Sequence, residues 1–208
     1  VQLEAALKQQ APGSLYLIVG EEDLLRDSAL AAIKRAALGS EGDEFNYELF
    51  YGDDASGTDI RNSAAVVPVF AERRVVVVKA AEKLTARESE PLLDSVNHPV
   101  DSTTLVFVSP KLDGRLKFSQ ALARAACMVD CSPLREAQLP SWIAREAERV
   151  GLRLEDAAAY VLQEACGASL YGLRRELEKL ASYVPADRAV TAADVHLLRG
   201  MEPGASVF

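Results

Sequence analysis

The chain has 208 residues, with 31 acidic against 23 basic side chains, a formal charge of −8, 49% hydrophobic and 26% charged residues. That balance is a folded globular chain's, and it excludes a strong stand-alone nucleic-acid module, which needs cations to neutralise phosphates. The longest apolar stretches, AAVVPVF and VVVV, fall far short of the ~20 residues of a membrane span, and the scattered Cys127, Cys131, Cys166, His98 and His196 offer neither a disulfide framework nor zinc-ligand spacing.

The opening VQLEAALKQQ has no basic n-region and no small-residue cleavage site, so no secretory signal is read. Without an initiator Met the chain reads as a fragment, and its few cysteines suit a reducing cytosol. An apolar run, LYLIV (15–19), ends at Gly20, and an amphipathic helix follows within about three residues. In that helix Leu25, Ala29, Ala32, Ile33 and Ala36 share a face, and Gly39 is the expected stop. Further β-rich runs occur at 46–51, 74–79, 103–108 and 127–131, separated by helical patterns at 58–67, 86–97 and 115–126. Alternating strands and helices predict a mostly parallel sheet covered on both faces, and the continuous VVVV and LVFV suit central strands. If 127–131 is a strand, Cys127 and Cys131 share a face as small buried hydrophobes.

After Pro133 no strand pattern remains. Pro140 stands in the first turn of a helix in which Ile143, Ala147 and Val150 share a face and Gly151 is the stop. LEDAAAYVLQEACG forms a second helix, and a third carries Leu170, Leu173, Leu177 and Leu180 as a packing stripe. Thr191 caps a short last helix. A small helical bundle therefore follows an α/β domain, with the join near Ser132–Glu136.

The strand–Gly20–helix junction is where a phosphate loop sits in nucleotide-hydrolysing α/β domains. That loop reads G-x-x-x-x-G-K-S/T, with main-chain N–H groups and the lysine on phosphates and the hydroxyl on Mg²⁺. Laid on Gly20, the second glycine falls on Leu25, the lysine on Arg26 and the hydroxyl on Asp27. Leu25 puts a side chain where main chain must approach phosphate, and Glu21, Glu22 and Asp23 would repel a triphosphate while suiting a bare helix N-terminus. The partner acid is missing too: TTLVFV runs into Ser109, Pro110 and Lys111. The geometry of a nucleotide-binding fold is expected without its chemistry, and no cofactor or metal is expected. Asp53 and Asp54, in a Gly-rich turn, read as turn chemistry rather than an acid/base pair.

LYLIVGEEDLLRDSA, NYELFYGDD, PVFAERRVVVVKAAEKL, LVFVSPKLDGRLKFSQAL, the long CSPLREAQL…AAAYVL and LRRELEKLASYV together resemble, in order over nearly the whole chain, the delta-subunit family of the bacterial DNA polymerase III clamp loader. The resemblance implies an AAA+-like, P-loop-NTPase-type α/β domain over 1–134, lacking a working phosphate loop, and a small all-helical lid over 135–208. The family's third, collar domain would begin about where this chain stops. A cysteine-rich zinc module and an S-R-C arginine-finger motif, marks of the motor and delta-prime paralogues, are absent. The nucleotide-sensing lid arginine is replaced, with Tyr171 as its nearest counterpart.

Implied function follows from the same resemblance: a non-catalytic subunit that binds the beta sliding clamp and opens it for loading onto primed DNA. Its partners would be gamma/tau and delta-prime subunits in a cytoplasmic hetero-pentamer, with no membrane association. The clamp-binding plug maps to Val69 and Phe70, with Pro68. The residues alone support this modestly: Pro68 should end the preceding helix, leaving Val69 and Phe70 in a loop before Arg74, unless Phe70 folds back into the core. Arg115, Lys117 and Arg124 lie near one helix, to contact DNA or a neighbouring subunit or simply to form a solvated face. The rival reading is a degenerate nucleotide-binding α/β ATPase or transferase.

Overall fold

A computed structural model describes residues 2–39 and 44–200, and the chain divides into two compact units, Val1–Pro133 and Leu134–Phe208. The last stretch of the expected lid, 201–208, lies outside the described residues. The first unit holds strands β1 (Leu15–Val19), β2 (Tyr47–Tyr51), β3 (Arg74–Lys79), β4 (Thr103–Ser109) and β5 (Cys127–Asp130). Its helices are α1 (Gln2–Gln9), α2 (Asp23–Leu38), α3 (Gly57–Ala65), α4 (Ala86–Ser89), α5 (Leu92–Asn97) and α6 (Lys117–Ala125). Every strand pair is parallel, in the order β2-β3-β4-β1-β5.

Period-two alternation sends successive side chains of the buried strands to opposite faces. On one face Leu15, Leu17, Val76, Val78, Leu105 and Phe107 meet Ile60 of α3, Leu92 and Val96 of α5 and Phe118 and Leu122 of α6. Phe107 and Phe118 meet edge to face, with centroids 5.2 Å apart. On the other face Ile18, Val75, Val77, Val106 and Val108 pack against Leu30 and Ile33 of α2, with Leu3 and Leu7 of α1 alongside. Burial on both faces explains why β3 and β4 read as unbroken apolar runs.

Several expectations need correction. Helix α1 was not anticipated, because its short amphipathic pattern stands apart from the strand–helix alternation. The buried side of α2 is Leu24, Ala29, Leu30 and Ile33; Leu25 is only partly buried and Ala36 is exposed. The span 86–97 is two helices rather than one, interrupted at Glu90–Pro91, where proline removes a main-chain donor. The third helical pattern begins at Lys117, not 115. Cys127 and Cys131 are not both buried: Cys127 is exposed at the start of β5, an edge strand, while Cys131, just past its end, is buried, which pushes its thiol up to about 11.

The second unit contains α7 (Leu139–Arg149), α8 (Asp156–Cys166), α9 (Leu170–Tyr183) and α10 (Ala192–Gly200). Ile143, Ala147, Leu162, Leu170, Leu173, Leu177 and Leu180 are buried, so the leucine stripe is core. Glu146, buried on α7, accepts from Arg174 of α9 at 2.5 Å and from Arg149 at 2.9 Å, which pins the two helices. Gly151 and Gly167 end their helices with φ of 78° and 59°, and Thr191 Oγ1 accepts from the Asp194 N–H at 3.3 Å.

Candidate functional site

Parallel strands give the first unit two chemically different ends, and each carries one of the motifs singled out in the sequence. The phosphate-loop position lies at the C-terminal ends of the strands, after Val19. Segment 66–73, between α3 and β3, lies at their N-terminal ends.

At the first end the loop's groups are engaged within the protein. The Gly20 N–H donates to the Ser109 carbonyl at 3.2 Å and the Glu22 N–H to the Cys131 carbonyl at 3.0 Å. Gly20 has φ 142°, and a Cβ there would lie 2.0 Å from the Cys131 carbonyl carbon, so the chain after β5 is packed directly on the loop. Arg26, in the lysine's place, donates to the Gly20 carbonyl and to the Asp23 carboxylate. Asp27 faces Lys79 at 3.5 Å. Leu25 packs against the core face of the sheet. Neither central strand ends in an acid, since β3 ends at Lys79 before Ala80 and β4 at Ser109 before Pro110. Folding does bring one acid to Ser109 that no local motif signals: Glu82 accepts from its hydroxyl at 2.9 Å. Asp53 pairs with Lys83 at 3.0 Å, which holds its carboxyl below the usual range. Among the described residues no group of three or more His, Cys, Asp or Glu could hold a metal ion.

At the other end α3 stops at Ala65, and Val66 caps it in extended conformation, so the helix closes before Pro68 rather than at it. Val66, Val67 and Val69 are exposed, and the Phe70 ring is entirely in solvent, at 106% of its reference area. Phe70 has φ 55°, in the left-handed region that side chains with a Cβ avoid. Asn46 holds the turn: Nδ2 donates to the Val69 carbonyl and Oδ1 accepts from the Val69 N–H, both at 2.8 Å. Arg74, buried at the start of β3, donates to the Ser63 carbonyl at 3.1 Å, the Phe45 carbonyl at 2.9 Å and Glu48 at 2.5 Å. Phe45 itself is 83% exposed. Sequence reading missed Asn46 and Arg74, because a buried polar residue at a strand edge has no local pattern. At this same end a cavity of about 290 Å³ is lined by Ser14, Arg61, Asp94, His98, Val100 and Thr103, among others.

The basic trio is not a single helix face. Arg115 precedes α6 and grips Asp113, whose carboxyl it pulls down to about 2. Lys117 and Arg124 are exposed on α6. Tyr171 is half exposed in the first turn of α9.

A five-stranded parallel sheet in this order, followed by a helical unit, makes the chain AAA+-like. Within that class the chain belongs to the family described as DNA polymerase III, delta subunit, whose sequence model matches residues 16–132. It is 23% identical over 203 residues to DNA polymerase III subunit delta of Bacillus subtilis (strain 168), covering 93% of this chain and 58% of the relative. Against DNA polymerase III subunit delta of Escherichia coli (strain K12) it is 27% identical over 188 residues, covering 88% of this chain and 54% of that one. The solved Bacillus subtilis DNA clamp loader delta protein superposes with a TM-score of 0.76 at 23% identity, over 95% of this chain and 61% of that structure. The chain thus spans less than two thirds of each of these three relatives. Among the described residues no helix is long and apolar enough to cross a membrane.

Proposed function

We propose that this chain is the clamp-binding portion of a non-catalytic delta subunit, working in the cytoplasm within a clamp loader. Val69 and Phe70, set by Pro68, insert into a pocket of the beta sliding clamp and favour its open form, so that the ring can pass onto primed DNA. The observation that carries this reading is the Phe70 ring: a large aromatic wholly in solvent, at a loop apex flanked by exposed valines, is what an interface anchor looks like before it is covered. A plug opens a ring only if its contacts are better in the open state than in the closed one. ATP hydrolysis falls to the gamma/tau subunits, consistent with a phosphate-loop position whose arginine is tied to its own main chain. The rival reading, a degenerate ATPase or transferase, gains no support from that geometry.

Titration calorimetry against the sliding clamp of the same organism tests the assignment. Phe70→Ala should cost about 2–4 kcal/mol of binding, the range for an interface hot spot, with the melting temperature unchanged. Wild-type affinity in that variant would remove the plug assignment.

A further inference from the structure

Asn46 is fully buried, yet it bonds to the exposed segment that carries Phe70. A carboxamide places a donor and an acceptor on one rigid plane, and here both are used on a single residue, as a neighbouring strand would use them. The bond joins positions 23 apart in sequence, so it is tertiary rather than part of a local turn. Asn46 is itself anchored, because Arg74 holds the Phe45 carbonyl beside it and β2 begins at Tyr47. Phe70 follows Val69 directly, in a left-handed conformation that persists only where the surroundings impose it.

We propose that Asn46 is a positioning residue for the tip, fixing the main chain of Val69 so that the Phe70 ring is held out for its partner before contact. The role rests on Val69–Phe70 being the clamp anchor. A loop released from Asn46 could fold its ring onto Val66 or Val67, and binding would then wait for the minority of molecules with the ring presented.

The test uses the whole chain, the sliding clamp of the same organism, and four variants: Asn46→Ala, Asn46→Asp, Phe70→Ala and the Asn46→Ala/Phe70→Ala double. Clamp affinity, amide hydrogen exchange at Val69 and melting temperature are read for each. Asn46→Ala should weaken clamp binding about tenfold, as the competent fraction falls, and speed exchange at the Val69 amide. Asn46→Asp keeps an acceptor for the Val69 N–H, retains side-chain size, and should recover part of that protection; it stands in if the alanine variant does not fold. In the Phe70→Ala background, Asn46→Ala should cost nothing more. An unchanged affinity for both Asn46 variants beside an impaired Phe70→Ala, or an equal loss in the Phe70→Ala background, overturns the positioning role alone. Wild-type affinity in Phe70→Ala overturns the plug assignment and the positioning role with it.

Discussion

The guanidinium of Arg74 donates to the main-chain carbonyl of Phe45 at 2.9 Å, tying the first residue of β3 to the turn that enters β2. The same group reaches the Ser63 carbonyl near the end of α3 and the Glu48 carboxylate, so three chain segments meet on one planar fork. An ammonium cannot span them. Arg74→Lys should therefore lose about 2–4 kcal/mol of stability, the scale of a broken buried polar network, measured by urea unfolding. A lysine variant as stable as the parent would mean that the fork is ornamental.

At Phe70 stability and binding should move in opposite directions. A non-glycine residue at φ 55° stores backbone strain that glycine does not feel, and the ring has no buried contact to lose. Phe70→Gly is expected to raise unfolding free energy by about 1 kcal/mol while abolishing clamp binding. Chemical denaturation beside calorimetry checks both halves, and a destabilised glycine variant would show that the ring is packed after all.

Saturating Mg-ATP should leave the melting temperature of the chain unchanged, since ligand stabilisation requires a site in the folded state. Arg26→Ala frees the Gly20 carbonyl and removes the loop's cation, so it should lower stability without creating a nucleotide response. A rise with Mg-ATP in either protein, seen by differential scanning fluorimetry, would revive the ATPase reading.

Acid should loosen the helical unit through Asp194. The Arg188 guanidinium, then the Thr191 N–H, hold its carboxyl well below its ordinary value of 3.8. A depressed folded value means that the stabilisation is complete above the unfolded value and drains away as pH falls through the folded one. The wild-type melting temperature should thus drop below about pH 4, and Asp194→Asn should flatten that part of the curve. Added salt should shrink the difference, because Arg188 is half exposed. Identical pH profiles for the two proteins would exclude the pair.

Much of the fold was legible because VVVV and LVFV declare doubly buried strands, and because Gly39, Gly151 and Gly167 stand where helices stop with positive φ. The mismatches at Leu25, Arg26 and Asp27 were legible for the same reason: a phosphate loop depends on local spacing. What was hidden is tertiary. Nothing near Asn46 signals a partner at Val69, and nothing near Glu82 signals Ser109. The exposure of Phe70 was open in the sequence as well, since loop aromatics fold inward as readily as outward until neighbours decide. Cys127 misled because an even spacing sets the face and not the depth, and β5 is an edge strand whose first residue is left exposed.

The approach of Gly20 to the Cys131 main chain bears on what that glycine is for. Its φ is 142°, a Cβ there would lie 2.0 Å from the Cys131 carbonyl carbon, and the Glu22 N–H bonds to the Cys131 carbonyl at 3.0 Å. Any side chain at position 20 would have to push the segment after β5 aside, so the glycine is required by packing alone, whether or not a phosphate is ever bound.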